Sequence, residues 1–309
     1  MSLLAKPLVV VTGKGGVGKS TVAAALGLAA AARGLRTIVA EVAARDDVSR
    51  TLTGEDDGDV EVFREREVAA GLHHISIDPQ AAMREYLQDQ LPSRSVAGMM
   101  SSSSTFGLLV AATPGLRELL TIGKVWELAQ PGRRTPGADP YDLVILDAPA
   151  TGHGVAILEA PATFSDAARV GPIARQGRTI AEMLGDPTRT GVVAVTTAEE
   201  MPVNETLGLR TALRDRMGLP VDLVVANRVL PDRFRGAEAQ ALRGAADPSS
   251  RAIRAALAVS TRARAQRAQV ARLRRALGDV PVRTLPFSYA PTLDTDALLP
   301  LAHRLGVVL

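Results

Sequence analysis

An apolar run that meets a glycine-rich loop and then an alanine-rich helix constrains this chain more than any other stretch. Residues 8 to 20 read LVVVTGKGGVGKS, and a helical pattern continues from Val22 to Ala32. Strand, loop and helix in that order satisfy the spacing G-x-x-x-x-G-K-[ST] with Gly13, Gly18, Lys19 and Ser20. Gly13, Gly15, Gly16 and Gly18 let successive backbone N–H groups, that of Val17 among them, turn onto a polyphosphate with no Cβ in the way. The helix that opens with Lys19, Ser20 and Thr21 aims its unpaired N–H groups and its positive dipole end at the same anion. Lys19 is placed to reach the β- and γ-phosphates, and the Ser20 hydroxyl to hold a Mg²⁺ ion.

Lys14 is a second lysine in the loop, which an ordinary phosphate loop does not need. It is either a solvated side chain or one retained for a purpose. The chain has four lysines (Lys6, Lys14, Lys19, Lys124) among 36 basic residues and supplies the rest as arginine. Two of the four in one loop point to a site that needs a compact ammonium on a flexible stem.

A chain of 309 residues can be one large α/β domain or two small ones. Its core must be aliphatic, because 46% of residues are hydrophobic but only 3% are aromatic. The absence of cysteine removes thiolate zinc sites, thiol chemistry and disulfides. A net charge of +3 argues against a generic nucleic-acid binder. The N-terminus enters the first strand without a signal-peptide pattern, and no stretch reaches the ~20 apolar residues of a membrane span. The expectation is a cytoplasmic protein.

After the first helix, Thr37–Glu41 reads as a second strand that ends in an acid. Residues 43 to 71 read as polar chain with a turn at 54–58, and His73–Ile77 as a strand. Gln80–Leu91 has helical spacing, 92–113 is apolar but poorly patterned, and an amphipathic helix carries Leu116, Leu119, Leu120, Val125 and Leu128. Further strands are expected at Leu143–Asp147, Gly191–Thr196, Val221–Asn227 and Val280–Leu285. Helices are expected at Ser165–Leu184, Val203–Met217, Gly236–Ala245, Arg251–Leu277 and Asp294–Leu305. Strands apolar on every residue, alternating with helices, predict a doubly wound, mostly parallel α/β sheet with both faces covered. Residues 78–135 interrupt the alternation as a helical insertion within a single domain spanning 1–309. In such sheets ligands lie beyond the carboxyl ends of the strands, where the 13–20 loop, Glu41 and Asp147 all fall. Asp147, at the end of a buried strand, is the acid expected to hold a water on the Mg²⁺ bound by Ser20.

The run from Gly13 to Thr21 resembles the deviant Walker A loop of the nucleotide-dependent dimerising ATPases. These include the Min/Par positioning ATPases, nitrogenase iron protein, and the arsenite-pump and tail-anchored-protein-targeting ATPases. In that group the extra lysine, here Lys14, reaches the partner's nucleotide, so the resemblance implies a dimer with ATP between subunits. The segment from Asp147 to His153 (DAPATGH) is similar to the switch motif of the arsenite-pump and targeting ATPases, although His153 also reads as a plain loop histidine. Ile77-Asp78-Pro79 with Glu85-Tyr86-Leu87, and Pro114-Gly115 with Glu118, resemble two more of that family's segments. Asn227 occupies the place of the asparagine that reads adenine, where it is otherwise a turn-starting residue; Leu285-Pro286-Phe287 would flank the same base. The likeness is nearest to the actinobacterial anion-transporting-ATPase-like members. It implies a Mg-ATP-binding, ATP/ADP-cycling dimer, homomeric or paired with a paralogous ATPase.

Two departures matter. The family's water-orienting acid, two residues past the second strand's end, falls on Ala43 if Glu41 is the strand-end acid. Either Glu41, Asp46 or Asp47 substitutes, or the subunit hydrolyses slowly, or a related subunit completes the site. The lack of cysteine also excludes a zinc clamp and a cysteine-based metalloid sensor. Residues 95–130, with Met99, Met100, Phe106 and Trp126, read either as an apolar client groove or as a small packed subdomain. The arginine-rich 251–275 helix reads best as a solvated face. A hydrophobic protein client, transient contact with a membrane protein and no specific nucleic acid complete the expectation. A Min/Par-like role on a membrane is disfavoured, because Leu298–Leu309 is short and simply apolar.

Overall fold

The computed structural model describes residues 2–42, 46–54, 62–90, 115–135, 137–168, 171–234, 236–244 and 250–306. Eight strands form one sheet: β1 (Leu8–Gly13), β2 (Thr37–Val42), β3 (Arg66–Ala69), β4 (Leu72–Ile77), β5 (Leu143–Ala150), β6 (Thr190–Thr197), β7 (Leu223–Val229) and β8 (Val282–Pro286). Their order is β3-β4-β2-β5-β1-β6-β7-β8, with every pairing parallel except the edge pair β3·β4.

The helices are α1 (Lys19–Ala31), α2 (Asp47–Thr53), α3 (Pro79–Gln90), α4 (Leu116–Leu128), α5 (Thr151–Ala168), α6 (Pro172–Gly185), α7 (Glu200–Met217), α8 (Gly236–Gly244), α9 (Arg251–Leu277) and α10 (Thr295–Gly306). Side chains alternate across the pleat, which sorts the core into two layers. Val9, Val11, Val39, Ile145 and Val195 meet α1, α2 and α10 on one face. Val10, Ile38, Leu146, Val192 and Val224 meet α4, α5, α6 and α7 on the other. Both faces are covered, which is why the strands carry no polar period.

Three expectations are corrected. The helix expected from Ser165 to Leu184 is two helices, α5 and α6. Gly171 at φ +107° turns the chain, and Pro172, which has no N–H to give, starts the second. α5 starts at Thr151, inside the DAPATGH segment and well before the expected Ser165. Gly154 makes that possible: a Cβ there would stand 2.7 Å from Thr12 Oγ1 and 3.0 Å from Pro149 O. The polar stretch 43–71 contains α2 and β3, the latter folded back on β4 through Gly71 at φ +72°. Of the helical insertion, α3 and α4 are described; Met99, Met100, Phe106 and the rest of 91–114 lie outside the described residues, and Trp126 packs partly buried against the core.

Candidate functional site

The glycine loop leaves β1 and enters α1 at the carboxyl edge of the sheet. Gly13, Gly16 and Gly18 have φ of +152°, +81° and +89°. A Cβ on Gly13 would collide with the carbonyl of Val195, and one on Gly18 with the Asn227 amide. These glycines are fixed by conformation and by space, not by flexibility. Gly15 and Gly16 are exposed, Val17 is buried, and Thr21 is half-buried on the first turn of α1.

Lys19 is buried and donates back to the Lys14 carbonyl at 3.3 Å, which closes the loop on itself. Ser20 Oγ donates to Asp147 Oδ2 at 2.6 Å, although 127 residues separate them. Asp147 is fully buried within β5, which runs three residues beyond the end expected at Asp147, to Ala150; it is in register with Val11 of β1 and Glu41 of β2. A serine hydroxyl and a carboxylate brought together at the start of α1 form a hard-oxygen donor set. It fits Mg²⁺, which prefers oxygen ligands and is held by few protein groups.

From β7, two consecutive residues brace the loop from outside. Asn227 Nδ2 donates to Val17 O at 3.0 Å, and Arg228 Nη1 donates to Gly16 O at 3.1 Å. Carbonyls held outward leave their N–H partners facing inward. Beside this brace, a cavity of about 230 Å³ is bounded by Thr21, Asn227, Arg228, Pro286 and Phe287. Thus Asn227, Pro286 and Phe287 line one cavity with Thr21 of α1. The brace by Arg228 was not foreseen: its only sequence signal is adjacency to Asn227.

Lys14 lies on the outer side of the loop, against α7 of its own chain. Its ammonium donates to Glu205 Oε1 at 2.5 Å and to Met201 Sδ at 2.8 Å. Neither partner carries a sequence signal, since both lie more than 180 residues away.

Glu41 shares the carboxyl edge but is committed to the fold. It is fully buried; Oε2 accepts from Val48 N–H at 2.9 Å, at the N-terminus of α2, and meets His74 Nε2 at 2.8 Å. Asp46 lies beside it, 3.5 Å from His74 Nδ1, with Arg66 Nη2 donating to its two oxygens at 3.0 and 3.3 Å. Glu41, Asp46 and His74 bring ligand atoms within 4.8 Å of one another. The Arg66 guanidinium already supplies a cation there, so the cluster is an ion network that ties α2 to β2, β3 and β4. Asp47 is exposed in the first turn of α2. Ala43 and the His153 side chain lie outside the described residues.

A braced glycine loop between strand and helix, with a buried lysine and a serine–aspartate pair at the edge of a parallel sheet, defines a P-loop nucleotide-binding protein. The family described as anion-transporting ATPase matches residues 6–173 and 167–247. The ATPase BagA of Mycobacterium tuberculosis (strain H37Rv) is 33% identical over 255 residues, which cover 80% of this chain and 72% of that protein. The arsenical pump-driving ATPases of Acidiphilium multivorum and Escherichia coli are 27% and 26% identical; each match covers 73% of this chain and 40% of the pump protein. This chain belongs to the anion-transporting ATPase family, a family of nucleotide-binding ATPases. Among the described residues no helix is long and apolar enough to cross a membrane.

Proposed function

We propose that this chain binds Mg-ATP in the 13–21 loop and acts as a dimeric nucleotide switch, in the cytoplasm, coupled to the handling of a protein client. The Ser20–Asp147 contact of 2.6 Å, beside a loop braced at Gly16 and Val17, carries the reading. Ser20 and Asp147 would hold Mg²⁺, which when bound neutralises charge on the phosphates. Lys19 leaves its carbonyl partner for the β- and γ-phosphates, and the loop amides take the phosphate oxygens. Asn227, Pro286 and Phe287 receive the adenine. Among the described residues no carboxylate lines that cavity, so guanine's N1–H and exocyclic amine would find no acid there.

Lys14 has one course in this scheme. Its half-buried ion pair with Glu205 is open enough to solvent to exchange for a phosphate presented by a second subunit, homologous or identical. ATP then draws two chains together, and hydrolysis releases them.

The ion network at Glu41 favours slow turnover in the isolated chain. Two of the three acids considered as substitutes for the family's water-orienting residue, Glu41 and Asp46, are buried and bonded to α2, His74 and Arg66. The chain would then serve as a nucleotide-binding subunit beside a paralogous ATPase. Light scattering with ATP and Mg²⁺, together with turnover of the chain alone and mixed with such a paralogue, tests both statements. A chain that binds ATP but stays monomeric in every mixture refutes the switch, and turnover alone at the rate of a complete P-loop ATPase refutes the low-turnover reading.

A further inference from the structure

Arg228 combines a backbone that arginine rarely adopts with a side chain that lines the base cavity. Its φ is +57°. A left-handed backbone is strained for a non-glycine residue and persists only where its surroundings over-determine it. Here three hydrogen bonds do so. The Arg228 N–H donates to Asn227 Oδ1 at 2.9 Å, and its carbonyl accepts from Gln266 Nε2 at 3.4 Å. The Leu230 N–H donates to Gln266 Oε1 at 2.8 Å. Gln266 is buried in α9, so this clamp has a rigid base.

The strained turn sends the guanidinium back over the loop, where Nη1 reaches Gly16 O at 3.1 Å. Bracing alone would not require arginine, since any donor of the right length satisfies one carbonyl. Arginine adds a planar, weakly hydrated cation that stacks on ring systems. Arg228 and Phe287 both line the cavity beside the loop.

We propose that Arg228 is a base-recognition residue: its guanidinium stacks on the purine within the cavity shared with Phe287, and its bond to Gly16 fixes base and phosphates in one register. The proposal rests on the reading of the loop as a nucleotide site, and goes beyond it by assigning base selectivity to a residue outside the loop.

The test compares ATP, UTP and inorganic tripolyphosphate, each with Mg²⁺, by calorimetric titration of the wild-type chain, Arg228→Lys and Arg228→Ala. Lysine keeps a cation near Gly16 but has no plane, and it keeps the experiment decisive if the alanine variant does not fold. Stacking on one base is worth roughly a ten-fold change in affinity or more. Both variants should lose about that much of the wild-type preference for ATP over UTP, while Arg228→Lys keeps its tripolyphosphate affinity within about two-fold. If ATP, UTP and tripolyphosphate weaken together and the ATP-to-UTP ratio stays unchanged, Arg228 is a brace only and the proposal fails. A wild-type chain that binds none of the three refutes the nucleotide site itself, a result distinct from the previous one.

Discussion

Replacing Glu41 by alanine separates a structural from a catalytic role for the acid at the end of β2. The carboxylate is fully buried, with Val48 N–H at 2.9 Å and His74 Nε2 at 2.8 Å on the same oxygen. Its removal leaves an amide at the start of α2 and a buried imidazole without their acceptor. Breaking a buried pair from one side costs about 3–5 kcal/mol, and the loss of the α2 cap lies within that figure. In a chain of 309 residues each kcal/mol lowers the melting temperature by about 1.5 °C. The nucleotide-free Glu41→Ala chain should therefore melt roughly 5–8 °C below wild type. Glu41→Gln keeps the shape and an acceptor for Val48 and should lose only about 1 kcal/mol, the difference between a charged and a neutral acceptor. Differential scanning calorimetry gives the melting temperatures, and ATP turnover per folded molecule is measured at a temperature where both chains are folded. If Glu41→Ala melts within about 2 °C of wild type while its turnover falls by about 100-fold or more, the side chain acts on the reacting water and the argument from burial is wrong.

Gly18→Ala should weaken ATP by at least about ten-fold, because the methyl group enters the space of the Asn227 amide at a residue with φ +89°. Gly34→Ala serves as its control: φ is +82° but no atom lies within 4 Å of the added carbon, so it should lower stability by about 1 kcal/mol and leave nucleotide affinity unchanged. Amine acylation of the native chain, mapped by peptide mass, should mark Lys14 first. Its side chain is 30% exposed against 4% for Lys6 and 3% for Lys124, and ATP with Mg²⁺ should protect it if the dimer forms; equal labelling of Lys14 and Lys124 would contradict the geometry. Glu127 predicts the acid limb of stability. Burial on its own would raise its pKa, but Lys124, the Arg134 N–H and Arg133 outweigh burial and hold it below the usual carboxyl value. A depressed carboxyl contributes stability that is present above the unfolded value of 4.5 and is lost as pH falls through the lower folded value. Glu127→Gln should therefore flatten the decline of the urea midpoint below pH 4.5; an unchanged slope would show that the ion pair is not what acid breaks.

Where a residue's conformation follows from its neighbours in sequence, the chain could be read directly. The loop and the parallel strands are of that kind: an apolar run must be covered on both faces, and glycines at fixed spacing before a helix have little other use. The Ser20–Asp147 pair was legible for a related reason, because a parallel sheet sends every strand end to one edge. What escaped reading depends on contacts that no local pattern encodes. The break at Gly171 decided the division of α5 from α6, but its meaning depended on Gly154 fitting against Thr12. Lysine usage shows the same limit. Retention of lysine amid arginine suggested sites, yet Lys6 is buried against Asp222 at 2.5 Å and Lys124 against Glu85 and Glu127 at 2.8 and 3.0 Å. A compact ammonium fits a tight buried pair where a guanidinium fork would not, so the retained lysine records confinement, and function only where a ligand provides the confinement. Lys19 meets that condition: it is buried and donates to a carbonyl of its own loop, a bond a polyphosphate can displace. Lys14 does not, for it lies half open on Glu205. The confinement that would explain its retention has to come from a second chain, and for that reason the oligomeric state, more than the chemistry of the loop, is where the functional reading stands or falls.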